Sequence, residues 1–162
     1  AHEMAHYYWN SLNATLWFRE GGADFLASYT LDFNGRRTLA DRHLDLDSRG
    51  VRTCASRGMD SIQELLDLLE SQGYAKHVTT PQFLCNYILG EFLLLKLYQS
   101  MGFDGSNGAW NELYTLAESE GRPITEDEIY LAFYRSSAED QLDEVNALYD
   151  RWHRGDTPTS GQ

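Results

Sequence analysis

Thr80-Pro81-Gln82-Phe83-Leu84-Cys85-Asn86-Tyr87-Ile88-Leu89-Gly90-Glu91-Phe92-Leu93-Leu94-Leu95-Lys96-Leu97-Tyr98-Gln99-Ser100-Met101-Gly102 is the most apolar stretch of the 162-residue chain. A capping residue followed by proline is a helix start signal, and glycine is a stop, so the pattern predicts one helix from Thr80 to Gly102. Asn86, Glu91, Lys96 and Gln99 interrupt the run from Phe83 to Met101. No stretch reaches the ~18 uncharged apolar residues that a membrane span needs. The expectation is a buried helix and no transmembrane segment.

Working outward, Asp60 is expected to cap a helix from Ser61 to Gln72, in which Ile62, Leu65, Leu66 and Leu69 recur at helical spacing. Downstream, Trp110 to Glu118 forms another helix. Thr125-Glu126-Asp127-Glu128 is a capping box opening a helix to about Arg135. Ser137 to Trp152 carries Leu142, Val145, Leu148, Tyr149 and Trp152 on one face. Toward the N-terminus a helix runs from His2 to Trp9, and a second starts near Gly21. The polar segment from Asp32 to Met59 reads as a long excursion with little regular structure. No alternating strand pattern and no internal repeat appear. The chain is therefore expected to be all-α: one helical domain over residues 1–155 and a flexible tail over residues 156–162.

A hydrophobic share of 42%, with 13% aromatic, is enough for a packed core and argues against a disordered chain. The net charge is -12, from 25 acidic and 13 basic residues. Such a surface repels phosphate backbones, which argues against nucleic-acid binding. The acidic excess is spread along the chain, as a solvated surface would be. Cys54 and Cys85 are in no C-x-x-C spacing, and buried thiols and a single disulfide are both open. Asn13-Ala14-Thr15 fits a glycosylation sequon. An extracellular or cell-envelope setting is favoured.

His2-Glu3-Met4-Ala5-His6 fits H-E-x-x-H. Residues four apart share a helix face, so both imidazoles can point at one zinc ion while Glu3 stands beside it as general base. A catalytic zinc needs a third protein ligand and keeps one open position. Glu20 is the candidate, in Trp17-Phe18-Arg19-Glu20-Gly21-Gly22-Ala23-Asp24. Trp17 and Phe18 offer an apolar anchor, Arg19 flanks the ligand, and the small residues let the second helix lie close to the first. Asp24, one turn after Glu20, can accept a hydrogen bond from a ligand imidazole and fix its tautomer.

These motifs resemble the gluzincin metallopeptidases, the superfamily of thermolysin and aminopeptidase N, and particularly its peptidase-MA-like members. In that group the third ligand is a glutamate on the helix after H-E-x-x-H, followed four residues later by an acid, roles that fall on Glu20 and Asp24. Thirteen residues separate His6 from Glu20, a shorter connection than in thermolysin, as in the smaller relatives. The resemblance also implies an electrophilic residue downstream. Tyr87-Ile88-Leu89-Gly90-Glu91-Phe92-Leu93-Leu94 matches Y-x-x-G-x-x-L-L, which puts that role on Tyr87.

The resemblance implies zinc-dependent hydrolysis of a peptide or protein substrate. It also implies an upstream β-sheet subdomain that this chain lacks, so the chain is expected to be the helical part of a catalytic domain. As a fragment it is expected to bind zinc more weakly than its parent and to be inactive alone. A non-peptide zinc hydrolase on the same scaffold and a non-catalytic helical interaction module are the competing readings. His43, His77 and His153 lack a paired ligand at helical spacing and are expected to be structural.

Overall fold

A computed structural model describes residues 1–9 and 12–155; the expected tail, 156–162, lies outside them. Among the described residues every regular element is helical. Helix α1 (His2–Trp9) leads to α2 (Leu16–Phe33), α3 (Leu39–Asp45), α4 (Val51–Ala55), α5 (Ile62–Gln72), α6 (Tyr74–His77), α7 (Cys85–Glu120), α8 (Glu126–Arg135) and α9 (Leu142–Leu148). The core is centred on α2 and α7. Trp17, Phe18, Phe92, Leu93, Leu95, Phe133 and Tyr149 are essentially sealed from solvent.

The long apolar stretch differs from its expectation at one end. Pro81 begins no helix. The Thr80 hydroxyl donates to the His77 carbonyl, and Phe83, Cys85 and Asn86 donate to the carbonyls three residues back. These tight turns carry the chain to Cys85, where α7 starts. Gly102 does stop the regular helix, at φ 70° and ψ -170°, a conformation that glycine adopts without a side-chain clash. The chain resumes helix at once, so the expected helix at Trp110 belongs to this second run.

Helix α2 starts at Leu16, five residues earlier than expected, from an extended Thr15. Gly21 and Gly22 are not breakers but lie inside the helix, buried. The segment read as irregular is also corrected. Thr38 caps α3 by accepting from the Asp41 N–H at 3.0 Å, and a π-turn over Leu46–Gly50 joins it to α4. Leu39, Leu46 and Cys54 bury, and the Cys54–Cys85 disulfide ties α4 to the start of α7. Ser61, not Asp60, caps α5 in a reciprocal box with Glu64. The Thr125–Glu128 box forms as expected. The last helical segment is composite: a 3-10 turn over Glu139–Gln141, α9, then a π-turn over Tyr149–Arg154.

The three isolated histidines are structural. His77 is sealed in the interior and accepts a 2.9 Å hydrogen bond from the Asn86 amide. His43 stacks on Phe92 with ring centroids 5.3 Å apart. His153 pairs with Glu126 at 2.7 Å, and the same carboxylate accepts from the Trp17 indole N–H. Burial lowers the pKa of His77 and of His43, and Lys96 adds to the effect on His43. The unfolded chain therefore binds more protons below the ordinary histidine value near 6.5, so stability is full above that pH and falls as pH drops through the window below it. The slope from each histidine is at most about 1.4 kcal/mol per pH unit. Urea unfolding between pH 7 and 5.5 in a chelator reads it directly, and a flat profile would contradict this assignment.

Candidate metal centre

The site is built where α1 lies on α2 and α2 crosses α7. On α1, His2 and His6 are one turn apart and share a face. Their Nε2 atoms converge to 3.0 Å. Glu20, one turn into α2 and 8% exposed, brings Oε2 to 3.1 Å from His6 Nε2 and 3.7 Å from His2 Nε2. These three atoms are the one group among the described residues arranged to hold a metal ion.

Helix packing explains why Glu20 arrives there. At the α2–α7 crossing, backbone meets backbone. A Cβ on Gly21 would lie 2.5 Å from the Gly90 Cα, and one on Gly90 would strike the Trp17 carbonyl oxygen. Any side chain at either position would push the helices apart. The same approach brings α7's Tyr87 beside the ligands: its ring stacks on His2 with centroids 5.7 Å apart. Burial, followed by the nearby Glu20 and Asp24 charges, pushes the Tyr87 pKa well up. The phenol is therefore held neutral, as a hydrogen-bond donor.

The chemistry of the donor set fits zinc. Zinc takes N and O ligands at ~2.0–2.1 Å in tetrahedral array, which sets ligand atoms roughly 3.3 Å apart. The observed edges of 3.0, 3.1 and 3.7 Å bracket that value. Behind His2, Nδ1 meets Asp24 Oδ1 at 2.7 Å. That bond places the ring proton on Nδ1 and leaves the Nε2 lone pair facing the cluster, the orientation a metal ligand requires. Glu3, beside His2, is exposed to solvent, where a water molecule can reach it. Arg19 has its Nε buried without a hydrogen-bond partner.

One feature near the site went unread in the sequence. Glu91, next to the crossing glycine, is fully buried. Arg42 of α3 grips both its oxygens, and the Ser28 hydroxyl donates to Oε1 at 2.6 Å. The Glu91 pairing, the largest cause, raises the Arg42 pKa, with a further contribution from Asp24. The available signal was a lone carboxylate in the most apolar helix, which must find a cation once buried. Comparison of the chain with protein-family models, curated proteins and solved structures finds no match.

Proposed function

We propose that this chain carries the metal-binding half of a zinc-dependent peptide hydrolase of the gluzincin type. The observation that carries the reading is the convergence of His2 Nε2, His6 Nε2 and Glu20 Oε2 within bonding distance of one point, with Asp24 behind the first imidazole. His2, His6 and Glu20 would hold the ion; when bound, it supplies Lewis acidity toward a water and a carbonyl oxygen. Glu3 accepts the proton of the attacking water and returns it to the leaving amine. Asp24 keeps the His2 proton on Nδ1. Tyr87, neutral across the working pH range, donates its O–H to the developing oxyanion. The Cys54–Cys85 disulfide fits an oxidising, extracellular or cell-envelope setting.

Tyr87→Phe tests the role least explained by packing, because the ring stays and only the hydroxyl goes. Turnover in the full-length protein should fall about 10²-fold, the effect of losing one oxyanion donor, while zinc content stays at the wild-type level. Unchanged turnover would leave Tyr87 as a packing residue that happens to stack on His2.

A further inference from the structure

Beyond the glycine crossing, α2 and α7 separate around a cavity of about 170 Å³ that shares no residue with the metal centre. Its walls are mainly aromatic, from Phe25, Tyr29, Tyr98, Phe103 and Trp110, with Leu26 and Asn107 completing them. Phe103, 56% exposed, is the most open of these rings. The Tyr29 and Tyr98 rings pack edge to face, with centroids 5.7 Å apart. No charged side chain lines the space.

Ser106 also lines it. Its side chain is buried, at 5% exposure, and its hydroxyl has no hydrogen-bond partner. Other helical hydroxyls here behave differently: Thr30, Thr53 and Thr115 each donate to the carbonyl four residues back. Ser106 lies just after the break at Gly102, and its oxygen is left unmatched. A buried hydroxyl without a partner is destabilising, and native structures leave few of them without a cause.

We infer that this cavity is a binding site for a small one-ring aromatic molecule carrying a single hydrogen-bonding substituent, with the Ser106 hydroxyl as the polar contact. Size sets the one-ring limit, since an apolar protein cavity of ~150 Å³ accommodates benzene. The aromatic walls select a flat apolar body through edge and face contacts. The uncharged lining excludes ionised ligands, which would lose their hydration without a counter-charge. Ser106 then distinguishes a phenol from a hydrocarbon of the same shape. The site stands independently of any hydrolytic activity.

The test is an NMR titration of the whole chain with phenol and with toluene, repeated on Ser106→Ala. The wild type should show saturable shifts of the Trp110 and Tyr98 ring signals at roughly millimolar concentration or below. Phenol should bind about five- to tenfold tighter than toluene, the usual effect of one satisfied hydrogen bond. In Ser106→Ala, which keeps the cavity open, the two should bind equally. Absence of saturable shifts with either probe would overturn the site. So would equal binding in the wild type, or a phenol preference that survives Ser106→Ala. N-acetyltyrosinamide, whose backbone would have to stay outside past the half-exposed Phe103, should bind more weakly than phenol; affinity equal to that of phenol would make this a peptide side-chain pocket and overturn the small-molecule assignment.

Discussion

Glu3→Gln should leave zinc binding intact while peptide hydrolysis by the full-length protein falls roughly 10²–10⁴-fold, the contribution typical of a positioned general base. The substitution keeps the size and shape of the side chain and removes only its capacity to take a proton. Glu3 is exposed and belongs to neither the ligand triad nor its Asp24 support. Neither folding nor metal affinity should therefore change, and a loss confined to turnover separates proton transfer from site assembly. Normal cleavage by this variant would refute the mechanism. Loss of zinc together with activity would place Glu3 among the ligands instead.

Gly90→Ala, like Gly21→Ala, should be among the most damaging single-methyl changes at the described residues. The added carbon would run into the Trp17 carbonyl oxygen, and main chain cannot rotate away as a flexible side chain can. Overpacking a tight core costs about 1–3 kcal/mol, occasionally more, and backbone contact on both sides puts this case at the upper end. The helices can relieve the clash only by separating. That movement withdraws Glu20 on α2 from its place beside His6 and carries Tyr87 away with α7. Thermal unfolding and zinc titration should therefore fail together, whereas Gly35→Ala, at a position with nothing within 4 Å of the added carbon, should keep zinc affinity and lose stability only through its positive φ. A stable Gly90→Ala with wild-type zinc affinity would remove the crossing from the account.

These two expectations differ in how visible they were before the fold was known. The H-E-x-x-H spacing and the Glu20-to-Asp24 interval are local, helical-period signals, and they place each side chain on the face where it is found. The Thr125 cap is equally local, whereas the cap of α5 falls on Ser61, one residue after the expected Asp60. Gly21 and Gly90 carry no such mark, because a glycine that breaks a helix and one that admits a neighbouring backbone look alike in sequence. That ambiguity also delayed the expected start of α2 to Gly21. The segment from Asp32 to Met59 failed for a related reason. Its short helices α3 and α4 have few apolar residues of their own and depend on distant partners, Arg42 on Glu91 and Cys54 on Cys85. At Thr80, the hydroxyl turned back to His77, a tertiary choice that overrode a good local start signal.

The central claim is that His2, His6 and Glu20 form one metal site, and calorimetric titration of this chain with Zn²⁺ tests it most directly. The expected result is saturation at one zinc per chain, with affinity lost in His6→Ala and in Glu20→Ala. Asp24→Asn should be about 10–100-fold weaker, the usual effect of removing the carboxylate behind a ligand histidine. Binding that is absent in the wild type, or unchanged in His6→Ala, would contradict the account.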